Sequence, residues 1–239
     1  MSREPAQPIA VLTGDIVGSS ALSADELSEV MAALQLGADA VCEGVGGDLT
    51  DASDVWVGPV DVFRGDGWQA ALRDPRHALL AAVILRLAVI RRRPEGRRNA
   101  FDTRVAIAVG PAERLVPEAI SRSSGSAFTQ SGGLLDGLGS DRLGFSAASG
   151  QAAESLGEIL SGWLPLLDLH LTQVSPRQAE ALLLRLRRQE ASELELAGEI
   201  EPPVAPSTLN TLLRRAGGEA VSSALAWYYE AVDRLVENG

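Results

Sequence analysis

The chain contains no lysine: all 21 of its basic residues are arginine. That absence excludes a Schiff-base lysine and the phosphate-gripping lysine of a P-loop. Cysteine is reduced to Cys42, so the chain builds no internal disulfide framework, and the histidines His77 and His170 have no motif partner. The longest apolar runs, 78–85 and 163–169, fall short of the roughly 20 residues that span a bilayer, and "MSREPAQP" lacks the apolar core of a signal peptide. Together these absences point to a reducing cytoplasm and to no membrane partner. Positive charge is also in short supply. A net charge of −11 argues against general affinity for nucleic acid, though not against a local contact.

What is present is enough for a real core, with 46% hydrophobic residues in 239. "IAVLTGDIVG" reads as a buried strand over 8–17 that stops at Gly18. Ser23 and Glu26 have the spacing of a capping box, and Leu27, Val30, Met31, Leu34, Ala38 and Val41 recur at helical steps, predicting a helix over 24–43. The Gly- and Asp-rich stretch 44–58 reads as loop, and Gly65-Asp66-Gly67 sits between two β-prone runs as a hairpin turn. Pro75 suits the first turn of a helix over 76–92, which ends in Arg91-Arg92-Arg93 and Pro94. A strand at 103–110, a small polar patch at 123–133, a short helix at "LLDGL", a strand in "DRLGFSAA" and a helix over about 150–160 follow. This order suits an α+β sheet with helices on one face. Beyond Ser175-Pro176 no β-prone run occurs, and the chain reads as helices over 176–190, 192–200, 206–216 and 218–237, broken by "EPPVAP". The expected organisation is one α+β domain, 1–172, and a small all-α domain, 173–239.

Asp15 near the end of the first strand and Asp66 at the hairpin tip are the candidates for chemistry. If those strands are neighbours, two carboxylates and a backbone carbonyl offer the hard oxygen donors that Mg²⁺ or Mn²⁺ accepts. Each has a plainer reading: Asp66 as the Asp of an Asp-Gly turn, Asp15 as a strand-end cap. "VGSS" is either an ordinary turn or a set of amides and hydroxyls facing phosphate, and Arg64 is either a solvated flank or a phosphate contact. Trp227, Tyr228 and Tyr229 read as packing residues of the last helix.

"AVLTGDIVGSSAL", "FRGDGWQAALRDPRHALLAAVILRLAV", "TRVAIAVGPAERL" and "SGSAFTQSGGLLDGL" resemble successive blocks of the class III nucleotidyl cyclase catalytic domain, over about 8–138. More narrowly, Arg64-Gly65-Asp66 with "SxGxAFxxSGxxLD" is similar to SatD-type proteins. The resemblance implies a ferredoxin-like palm, Asp15 and Asp66 as metal ligands with the carbonyl of Ile16, and a nucleoside triphosphate against Val17, Gly18, Ser19, Ser20, Arg64 and Thr129. It also implies a homodimer, since such palms build their site from two subunits. Three positions depart from the cyclase pattern. Val62 stands where a base-selecting lysine is expected, and Thr129 and Gly133 stand where an Asn and an Arg stabilise the transition state. Loss of that Arg points away from ordinary cyclisation and toward a nucleotide-responsive regulator.

In the tail, "ASELELAGEIEPPVAPSTLNTLLRRAG" resembles a helix-turn-helix, which implies DNA contacts from Ser207, Thr208, Arg214 and Arg215. Its turn carries Pro202-Pro203 and lacks the usual glycine. Seven Arg against ten Asp and Glu in 173–239 disfavour DNA, so a dimerisation or partner-docking module stands beside that reading, with the palm as a scaffold without chemistry.

Overall fold

β1 (Ile9–Ile16), buried at every position but Asp15, sets the frame of the computed structural model, which describes residues 7–46, 51–63, 65–94, 96–97, 101–147 and 151–237. Arg64 lies outside the described residues. β1 is the central strand of a five-stranded sheet of order β2-β3-β1-β4-β5, with β2 (Asp61–Phe63), β3 (Gly67–Leu72), β4 (Thr103–Gly110) and β5 (Leu143–Ala147). β1 runs antiparallel to both β3 and β4, β2 and β3 form a hairpin, and β5 joins β4 in parallel. The first four strands thus take the ferredoxin-like arrangement.

Ala10, Leu12 and Ile16 point to one face of the sheet, where they meet α1 (Ala24–Val45) and α3 (Ala78–Ile90) in the main core. The expected capping box starts α1: Ser23 Oγ accepts from the Glu26 amide at 3.2 Å, and the Glu26 carboxylate accepts from the Ser23 amide at 2.8 Å. Ile9 and Val11 point to the other face, which Ala127 and Phe128 of α4 (Ser126–Gly137) cover. Helices on one face only is therefore corrected to helices on both. The small residues of α4 let it lie close to the sheet, where Ser131 Oγ and Thr13 Oγ1 are 2.7 Å apart.

Two further expectations change. Within 44–58, read as loop, Ala52–Val55 forms a one-turn helix, α2, and the buried Trp56 that follows bridges to Leu72 and donates its indole N–H to the Ala38 carbonyl at 3.2 Å. The helix expected over 150–160 runs over Gln151–Gln173 as α5, through Pro165. Leu156, Leu160, Leu164, Leu167 and Leu171 are buried along it, and that packing outweighs the broken hydrogen bond at Pro165.

The remaining helices are α6 (Pro176–Arg187), α7 (Glu193–Glu199), α8 (Pro206–Arg215) and α9 (Gly218–Glu237). Leu182, Leu183 and Leu186 of α6 and Val221, Tyr228 and Val232 of α9 belong to the same core as the sheet. A smaller cluster, Ala181, Leu184, Leu196, Ala197, Ile200 and Leu209, joins α6, α7 and α8. Tyr228 is buried and donates to the Pro75 carbonyl at 3.3 Å, while Trp227 meets Trp163 edge-on. No helix among the described residues is long and apolar enough to cross a membrane.

Beneath the sheet lies a buried ionic cluster. Arg86, the one charged residue of α3, donates to Asp102 from Nε at 3.1 Å and from Nη2 at 3.0 Å, and to Asp168 of α5 from Nη1 at 2.7 Å. Arg142 Nη1 reaches Asp102 at 2.6 Å and Arg93 lies 3.8 Å from it. Burial pushes the Asp102 carboxyl up, but Arg86 and Arg142 outweigh it and hold the group below the usual carboxylate range. The cluster ties α3, α5, β4 and the start of β5 together.

Candidate functional site

Asp15 pairs in register with Gly67, the residue after Asp66, so the end of β1 and the hairpin tip are adjacent. The Ile16 amide donates to the Asp66 carbonyl at 3.2 Å, which fixes that adjacency through the backbone. Gly65, at φ +83°, supplies the left-handed turn residue, and Asp66 follows it rather than sitting at the centre of the turn. The same end of the sheet therefore carries Asp15, Ile16 and Asp66.

The neighbour that decides the electrostatics is Arg104, directly opposite Asp15 on β4. Its Nε donates to Asp15 Oδ1 at 2.8 Å and its Nη2 to Oδ2, a two-pronged pair that is 28 and 24% exposed on the two side chains. The bond to Asp15 raises the Arg104 pKa above the ordinary arginine value, against burial, and Asp136 and Asp66 add to the same negative surroundings. Arg104 thus grips Asp15 within negatively charged surroundings. The Asp15 backbone is held as well, since Thr103 Oγ1 donates to its carbonyl at 2.7 Å and accepts the Trp68 indole N–H at 2.8 Å.

The turn after β1 is only partly free. Gly18 is left-handed at φ +65° and opens a 3₁₀ turn over Ser19–Ala21. The Ser19 hydroxyl donates to Asp66 Oδ2, and the Val17 amide donates to the Asp102 carbonyl at 2.9 Å. Val17 thereby serves the interior, Ser19 orients a carboxylate, and Ser20 is exposed. Thr129 is not brought to this group. It lies in the first turn of α4, with its hydroxyl donating to the Gly125 carbonyl at 3.3 Å, seven residues and about 10 Å along the helix from Asp136. A Cβ on Gly133 would meet nothing within 4 Å, so this position offers neither a cation nor a packed side chain.

Asp15 and Asp66 are the carboxylates at this end of the sheet. Among the described residues no three acidic, His or Cys side chains converge to hold a metal by themselves. Two carboxylates and a carbonyl, completed by phosphate oxygens and water, are nevertheless how Mg²⁺ is commonly held. The observation that fits is the adjacency of Asp15 to the Asp66–Gly67 step, with Ser19 holding the Asp66 carboxylate.

Sequence reading missed Arg104, Asp102 and Asp136. The signal for Arg104 was a lone charge inside the apolar strand "TRVAIAVG", of opposite sign to the lone Asp15 in β1. In the tail, Ser207, Thr208, Arg214 and Arg215 are all exposed on α8, and the neighbouring Asn210 amide donates to Glu193 at 2.6 Å. His170 meets the Ala216 carbonyl at 2.7 Å, and His77 lies 3.7 Å from Asp74 and beside the Tyr229 ring, so both take structural partners. A cleft of about 710 Å³ between α1, α6 and α9 shares no residue with the Asp15 group.

The sequence matches no protein-family model and no curated protein. Among solved structures the chain is similar to a bacterial light-regulated adenylyl cyclase, at 15% identity and a TM-score of 0.41 over 59% of this chain and 76% of that one. A second structure of such a cyclase gives 14% and 0.39, over 61% of this chain and 44% of that one. The guanylyl cyclase Cya2 gives 18% and 0.37, over 54% and 70%.

Proposed function

We propose that this chain binds a nucleoside triphosphate together with Mg²⁺ or Mn²⁺ at the Asp15–Asp66 end of the sheet, as a nucleotide-responsive regulator rather than an ordinary cyclase. The observation that carries this reading is the register that puts Asp15 beside the Asp66–Gly67 step, with Arg104 paired to Asp15. In it, Asp15, Asp66 and the Ile16 carbonyl hold the metal, which neutralises phosphate charge when bound. Ser19 orients Asp66, Thr103 fixes the Asp15 backbone, and Gly18 keeps the turn low enough for phosphate to approach. Gly133 and Thr129, whose hydroxyl donates back to the Gly125 carbonyl, supply no positive charge to a transferring phosphoryl group, which favours binding over cyclisation. A homodimer belongs to the same reading.

Calorimetric titration with each of the four nucleoside triphosphates in Mn²⁺ tests it. Heat from at least one, lost in Asp66→Asn, is expected; no heat from any of the four at high protein concentration sinks the proposal. A second reading, DNA binding by the tail, draws on the exposure of Ser207, Thr208, Arg214 and Arg215. It requires that Arg214→Ala with Arg215→Ala abolish a salt-dependent DNA shift, and a protein that shifts no DNA in 50 mM salt excludes it.

A further inference from the structure

We propose that Arg104 is a resident cation that competes with divalent metal for Asp15, so that the metal site is closed until this guanidinium is displaced. The inference rests on the metal reading given above and goes beyond it, to what controls entry. A metal ligand must offer oxygen lone pairs, and Arg104 covers both oxygens of Asp15, Nε on Oδ1 at 2.8 Å and Nη2 on Oδ2. The contact is not incidental to side-chain wandering. Asp15 and Arg104 face each other across the β1–β4 ladder, and their strands are locked by Thr103 and Trp68. Nor is the guanidinium indifferent to its place, since Asp66 and Asp136 deepen the negative potential around it. Both side chains are about a quarter exposed, so the pair opens without unfolding the sheet.

The consequence is a trade of cations. While Arg104 stays, Asp15 is neutralised and a divalent ion sees chiefly Asp66, itself engaged by Ser19. When a divalent ion takes Asp15, two charges replace one beside that carboxylate, and Arg104 must swing away. Metal affinity is therefore lower than the carboxylates alone allow, by the free energy of the Asp15–Arg104 pair.

The test is titration of the full chain with Mn²⁺ alone, without nucleotide, following loss of the free-ion paramagnetic resonance signal. The proteins are wild type, Arg104→Gln, Arg104→Lys and the double variant Arg104→Gln Asp15→Asn. Arg104→Gln is expected to bind Mn²⁺ at least tenfold more tightly than wild type. Arg104→Lys, which keeps the charge but not the two-pronged geometry, is expected in between, and the double variant loses the gain. Melting gives a second readout: Arg104→Gln without metal melts lower than wild type, because carboxylates are left facing one another, yet gains more from Mn²⁺. If wild type binds Mn²⁺ and Arg104→Gln or Arg104→Lys binds it no better, the competition is refuted while the metal site stands. If neither wild type nor any variant binds Mn²⁺, with or without nucleoside triphosphate, the metal reading falls and the competition with it.

Discussion

Replacing Asp102 by Asn tests the ionic cluster that seats β4 beneath the candidate site. Asp102 is fully buried and accepts from Arg86 Nε and Nη2, from Arg142 Nη1 at 2.6 Å and from the Thr103 amide at 2.8 Å. Arg86 and Arg142 both pair with Asp102, so the substitution takes a negative partner away from two guanidinium groups. Asn keeps one acceptor oxygen but points an NH₂ at guanidinium donors. Removing one partner of a buried ion pair costs about 3–5 kcal/mol. For a chain of this size each kcal/mol lowers the melting temperature by roughly 2–4 °C, so Asp102→Asn melts about 6–20 °C below wild type. Thermal unfolding followed by circular dichroism at neutral pH reads this directly. A variant within about 2 °C of wild type refutes the burial and pairing described for this cluster.

The cluster also sets a pH dependence. Because the Asp102 carboxyl is held below its unfolded value of roughly 3.9, its contribution to stability is complete above that pH and is lost as pH falls through the folded value. Urea midpoints measured from pH 6 to pH 2.5 are expected to fall more steeply below about pH 4 for wild type than for Asp102→Asn, and parallel curves contradict this. Gly14→Ala places a Cβ 2.4 Å from both the Arg104 carbonyl and the Trp68 indole, so it destabilises the sheet by at least about 1–3 kcal/mol, read as a lower urea midpoint. Gly217→Ala puts a side chain on a residue at φ +63° and 2.5 Å from His170, costing about 1–2 kcal/mol for the backbone alone, visible as a lower melting temperature.

Local signals were legible in the sequence and long-range ones were not. "TRVAIAVG" between polar residues gave β4 to the residue, and Ser23 marked the start of α1 because a capping box is written within four positions; the structure adds the same box at Ser175 and Ser192. The strand carrying Asp15 and the hairpin carrying Asp66 were legible for the same reason. Their adjacency needed the register, and the partner that neutralises Asp15 stands 89 positions away on a strand with no local tie to it. Arg86 in an otherwise apolar α3 signals that a buried carboxylate exists, but nothing local names Asp102 or Asp168. Face assignment failed for a related reason. The small residues of α4 read as a polar connection, although smallness is what lets that helix lie against the second face of the sheet. In α5, Gly157, Gly162 and Pro165 discourage a long helix locally, and the buried leucines that sustain it act through tertiary packing.

The most direct test of the central claim is anomalous diffraction from crystals grown with Mn²⁺ and a non-hydrolysable nucleoside triphosphate analogue. The account predicts a manganese peak within about 2.5 Å of a carboxylate oxygen of both Asp15 and Asp66, with phosphate oxygens completing the shell and the Arg104 guanidinium withdrawn from Asp15. A fully occupied nucleotide with no peak at these carboxylates, or a peak elsewhere while Arg104 still grips Asp15, contradicts it.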